Sequence, residues 1–244
     1  MASNVVKHPG QVSGSVLYML LVSRLVMFFL FQSIIALFIN SWGSSEKYWL
    51  LTATLTNIVS ILLLIKLFKR DGENYFKIFT LPKKTIKKDV PVFLILALVS
   101  IPVAMMPGYL LSTLIWGNAD VPTHMMFGPI NKWLVYSLMF AFPLTITFAE
   151  LATYFVYIMP RLVQRLNKKW LAVLLPVLFL SFQHCTLPFI PNMDFMLYRA
   201  LVFLPFALLI GVSIYYRPSL FIYFAILHGL MDFGTAYMFF MQVK

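Results

Sequence analysis

The chain has 244 residues, 61% of them hydrophobic and only 11% charged, against roughly 25% charged in an average soluble domain. Apolar runs of about 20 residues or more recur along its length, each long enough to cross a bilayer as a helix, which excludes an ordinary soluble domain. The net charge of +11 collects in short loops between those runs, where it sets orientation, so no nucleic-acid partner is expected.

Seven spans are predicted, at 16–39, 48–68, 90–116, 133–159, 170–188, 197–216 and 219–241. The expected fold is all-α, a single polytopic membrane domain over 1–244 with its active site in the last four spans, 133–241. The first run is too long for a signal-peptide core and lacks a small-residue cleavage site, so it reads as a retained span. In the third, Pro102 and the pair Pro107-Gly108 predict a kink or break. TLPFIPNMD, at 186–194, reads as a turn or a re-entrant piece.

The loop after the second span carries Lys66, Lys69, Arg70, Lys77, Lys83, Lys84, Lys87 and Lys88, and the loop after the fourth carries Arg161, Arg165, Lys168 and Lys169. The loop between, 117–132, has only Lys132 against Asp120. Both basic loops are therefore expected in the cytoplasm, with the N-terminus inside and the C-terminus outside. Within the first basic loop, FKIFTLPKKTIKK (76–88) reads as a basic amphipathic segment on the membrane surface or as a solvated loop. No internal repeat stands out, which counts against transporters built from inverted repeats. The single cysteine, Cys185, permits no intrachain disulfide. Small size without accessory domains points to a prokaryotic plasma membrane.

Four ionisable residues lie deep in the predicted spans: Glu150, His184, His228 and Asp232. Counted from the inner span ends, Glu150 and His228 lie roughly 14 Å deep and His184 and Asp232 roughly 20 Å. All are near the middle of a hydrocarbon core about 30 Å thick. His228 and Asp232 are four apart and share a helix face, and Gly229 beside them permits close approach of another helix or a substrate backbone. Each residue alone has a structural explanation as interhelical glue, but four such groups at one level from three spans favour a site. Arg24, roughly 12 Å from the inner end of the first span, either snorkels or pairs with a partner that the sequence does not reveal.

A set of one Glu, two His and one Asp permits two chemistries. In one, Glu150 is a general base on water and neighbouring groups stabilise the oxyanion. In the other, Glu150, His184, His228 and Asp232 supply ligands to Zn²⁺, which lowers the pKa of its bound water. The helical H-E-x-x-H zinc signature is missing from the sequence, and metal-free activation is the favoured expectation. Either route leads to hydrolysis, of which a peptide bond is the expected target.

Three segments resemble the motifs of a known family. ELATYFVYIMPRL (150–162) is similar to E-E-x-x-x-R with its following Pro-Arg-Leu tail. LSFQH (180–184) is similar to F-x-x-x-H, and HGLMD (228–232) to H-x-x-x-N/D. In order and approximate spacing they resemble the CAAX protease and bacteriocin-processing (CPBP or Abi) family of intramembrane endopeptidases. The resemblance implies that Glu150 activates water with His184, while His228 and Asp232 stabilise the tetrahedral intermediate. It implies a hydrophobic or membrane-associated peptide substrate of CAAX, pheromone or bacteriocin type. The second Glu of the first motif is Leu151 here and the Arg is Phe155, while Leu180 replaces the Phe of the second. Leu151 and Phe155 are four apart, so on an α-helix an ion pair would have become a packing pair. Their loss leaves open a catalytically silent immunity or scaffolding relative. A proton-coupled transporter using the same acids as a relay is the remaining alternative.

Overall fold

A computed structural model describes residues 13–242 of the chain. Among the described residues every regular element is helical, and seven helices are long and apolar enough to cross a membrane. They are α1 (Gly14–Ile39), α2 (Trp42–Arg70), α3 (Ile86–Trp116), α4 (Lys132–Arg165), α5 (Lys169–Thr186), α6 (Met193–Tyr216) and α7 (Pro218–Met241). These are the seven spans predicted from hydropathy, each displaced by a few residues at its ends. The protein is an integral membrane protein. The residues 1–12, whose side of the membrane the charge pattern assigns, lie outside the described residues.

The ends have local causes. Asn131 caps α4 by accepting from the Trp133 and Leu134 amides, and Asn192 caps α6 by accepting from the Phe195 amide. This cap starts α6 at Met193, four residues before the predicted span. The connection before it is a short turn rather than a re-entrant piece. Gln32 of α1 fixes that turn: its side-chain oxygen accepts from the Phe189 amide at 2.7 Å and its amide donates to the Phe189 carbonyl at 2.9 Å.

α3 runs through Pro91, Pro102 and Pro107 as one continuous helix, so of the expected kink or break the break does not occur. In a bilayer, breaking the helix would strand several backbone groups, whereas each proline forfeits one hydrogen bond. α3 is also the span with the smallest buried share, and Leu98, Ile101 and Met105 present their side chains outward.

α4 continues past the predicted end at 159 to Arg165, and its segment Ala152–Ile158 is π-helical. The hydrogen-bond ladder changes register there, so residues four apart no longer stack as in an α-helix. Tyr75, from the basic loop after α2, donates its hydroxyl to the Phe148 carbonyl just before this junction. Burial pushes the Tyr75 hydroxyl pKa up, which keeps it a donor. In and beside segment 76–88, Ile78 and the preceding Tyr75 tuck into the core, while Lys83, Lys84, Lys87 and Lys88 stay exposed.

The basic end of the bundle is knitted by ion pairs. Arg161 is not a solvated loop cation; it is buried and pairs with Asp71 at the end of α2. Arg217, between α6 and α7, meets Asp89 at the start of α3 at 2.6 Å. The loops after α2, α4 and α6 thus gather at one end.

Candidate active site

α4 and α7 pack extensively against each other, and Gly229 is the reason they can approach. A Cβ on Gly229 would lie 1.9 Å from the Thr147 hydroxyl oxygen and 3.1 Å from the Pro143 carbonyl oxygen. The close neighbour anticipated beside His228 is therefore helix α4. Gly229→Ala should cost about 1–3 kcal/mol through overpacking. Thr147→Ala should recover part of that loss, because it removes the closest of the clashing atoms. Thermal unfolding in detergent checks both, and equal stability of Gly229→Ala and wild type would contradict the close approach.

The approach brings Glu150 of α4 against His228 of α7. Glu150 is 1% exposed. Its Oε2 accepts from the Gln183 side-chain amide at 2.8 Å and from Arg24 Nη2 at 3.3 Å. Its Oε1 lies 3.6 Å from His228 Nε2, which lies 3.2 Å from Asp232 Oδ2. One carboxylate oxygen is thus anchored and the other is turned toward the histidine. His228 Nδ1 has no protein partner among the described residues.

His184 joins the same cavity without joining that chain of contacts. Its Nδ1 lies 3.0 Å from the Leu180 carbonyl and 3.2 Å from the Ser181 carbonyl. Carbonyls only accept, so Nδ1 carries the proton and Nε2 is left as an acceptor. The ring stacks on Phe203 at 4.0 Å between centroids. Glu150, His184, His228 and Asp232 all line one cavity of about 280 Å³, whose other walls are mostly apolar, including Phe142, Phe206 and Met231. The four residues singled out from the sequence therefore meet at one place.

The zinc alternative fits this arrangement poorly. Among the described residues no three His, Cys, Asp or Glu side chains are grouped to hold a metal ion.

Sequence reasoning left the anchoring network largely unnamed. Arg24, fully buried, donates to Gln183 Oε1 at 2.8 Å, Asn57 Oδ1 at 2.9 Å and the Ser60 hydroxyl at 3.1 Å, besides Glu150. Gln183 precedes His184 in the quoted motif, and Asn57 and Ser60 are polar residues three apart in an apolar span, so a signal existed for each. Arg199 of α6 also lines the cavity and was not singled out. Leu151 and Phe155 are both buried, in one cluster of core residues. Leu151 lines the cavity, while the Phe155 ring lies 2.9 Å from where a Gly211 Cβ would stand. Comparison of the chain with protein-family models, with curated proteins and with solved structures returned no match.

Proposed function

We propose that the protein is an intramembrane endopeptidase, a relative of the CPBP family, that hydrolyses a hydrophobic or membrane-associated peptide. The observation that carries this reading is the convergence of Glu150, His184, His228 and Asp232 on one largely apolar cavity within the bundle. Glu150 Oε1 takes a proton from water, and His184 Nε2 accepts the second hydrogen and orients the molecule. The hydroxide oxygen attacks the scissile carbonyl. Protonated, His228 donates from Nδ1 to the oxyanion, its charge balanced by the Glu150 and Asp232 carboxylates 3.6 Å and 3.2 Å from Nε2. Glu150 then gives its proton to the amine nitrogen as the C–N bond breaks, leaving one new carboxylic acid and one new amine, which become carboxylate and ammonium by proton exchange. No step requires a metal.

In this scheme Asp232 Oδ2, 3.2 Å from His228 Nε2 but without a formed hydrogen bond in the resting site, accepts from the imidazolium once His228 is protonated and orients it. Asparagine can accept the same bond, so Asp232→Asn should cost far less turnover than the roughly 10²–10⁴-fold expected for loss of the general base. Steady-state cleavage rates of the two variants make the comparison. A loss as large as that of Glu150→Gln would assign Asp232 a charged role instead.

The experiment for the overall reading is cleavage of apolar peptides by the purified protein in detergent micelles after exhaustive chelation. Retained cleavage is expected, and intact peptides would overturn the proposal. The Arg24–Glu150 ion pair favours a second reading, in which Glu150 is a structural link in a silent immunity or scaffolding relative. We assign the basic end to the cytoplasmic face of a prokaryotic plasma membrane. Labelling of single cysteines in the loop after α2, in intact cells, tests that orientation.

A further inference from the structure

Four arginines of this protein have well-defined surroundings in the bundle, and three have a carboxylate. Arg24 pairs with Glu150, Arg161 with Asp71 and Arg217 with Asp89. Arg199 is the exception. It is 5% exposed, yet among the described residues no carboxylate oxygen comes within 4.0 Å of its guanidinium.

What holds Arg199 is the turn that ends α5. Its Nε donates to the His184 carbonyl at 3.3 Å and its Nη2 to the Leu187 carbonyl at 2.5 Å. The guanidinium also lies over the Phe203 ring, 4.9 Å from its centroid. Carbonyls at a helix C-terminus are favourable company for a cation but carry only partial charge. These contacts fix the plane of the guanidinium and use Nε and Nη2. They leave Nη1, with two N–H groups, without a hydrogen bond to any described residue. Arg199 lines the same cavity as Glu150, His184 and Asp232.

A cation held rigidly in a mostly apolar wall, with no acid in ion-pair contact although Asp232 lines the same cavity, is a recognition point for an anion. Arginine's planar fork suits a carboxylate in particular. We propose that Arg199 binds a carboxylate carried by the apolar ligand that enters the cavity. The cavity, about 280 Å³, is at or below the small end of ligand pockets, roughly 300–1,000 Å³. It suits a short apolar body ending in a carboxylate, either the C-terminus of a peptide or the head of a fatty acid. The peptide case rests on the endopeptidase reading.

The test compares ligands that differ only in that charge, on the wild-type protein in uncharged detergent. One pair is an N-acetylated leucine dipeptide with an N-methylated internal amide, as free acid and as C-terminal amide. The other pair is dodecanoate and dodecanamide. Calorimetric titration should show one acid, or both, binding about 30-fold or more tightly than its amide. The pair that shows the preference identifies the source of the carboxylate. Arg199→Gln should abolish the preference and Arg199→Lys should keep part of it. Because Arg199 also clamps the turn after α5, each variant is first checked for cooperative thermal unfolding. The wild-type comparison stands without any variant.

Absence of an acid preference in both pairs would overturn the proposal, as would a preference that survives in folded Arg199→Gln. A cleavable apolar peptide, supplied as acid and as amide, separates this inference from the endopeptidase reading. Cleavage of both forms at equal efficiency, with no acid preference in binding, would remove the Arg199 site and leave the peptidase. Acid-selective binding without cleavage would do the reverse.

Discussion

Arg24→Gln should destabilise the protein by about 3–5 kcal/mol, because it leaves the Glu150 carboxylate buried without its cation. Arg24 is 0% exposed and Glu150 1%, so neither charge has water to fall back on. Glu150→Gln should also destabilise, by stranding the guanidinium among Gln183, Asn57 and Ser60, which offer hydrogen bonds but no charge. The double variant restores neutrality, and its loss should be smaller than the sum of the two by about 1–3 kcal/mol. Unfolding of the four proteins in detergent provides the cycle. Additive losses would mean that the two groups do not act as a pair.

Turnover should respond differently. Glu150→Gln should lower it by roughly 10²–10⁴-fold, the loss typical of removing a general base. The same loss should persist in the Arg24→Gln/Glu150→Gln double variant, although charge balance and much of the stability return there. This separates chemistry from folding, which the single Glu150 variant cannot do once its ion pair is known. Recovery of turnover in the double variant would make Glu150 a structural residue and favour the silent-relative reading. Cleavage rates at saturating peptide, normalised to folded protein, are the quantity to compare.

The seven spans and the meeting of four polar residues were legible in the sequence because both depend on one coordinate, depth along a helix. Glu150, His184, His228 and Asp232 could be placed at similar levels from span ends and a rise of 1.5 Å per residue. Lateral adjacency was not legible. The estimated depths of Arg24 and Glu150 were already compatible, but nothing in the sequence says that α1 lies against α4. The same blindness made Arg161 a loop cation when it is buried on Asp71. The π-helical stretch was hidden for another reason: Ala152–Ile158 is buried on every side, so no hydrophobic periodicity reports its register. Arg199 escaped notice because a cation near the start of a predicted span looks like an interface anchor.

The central claim is that Glu150 activates water for peptide hydrolysis inside the bundle. The most direct measurement is mass spectrometry of apolar peptides incubated in oxygen-18 water with the purified wild-type protein or the charge-balanced Arg24→Gln/Glu150→Gln variant. The account predicts cleaved peptides carrying one heavy oxygen in the new carboxyl group with the wild type, and almost none with the variant. Intact peptides with the wild type, or equal labelled cleavage by both proteins, would contradict it.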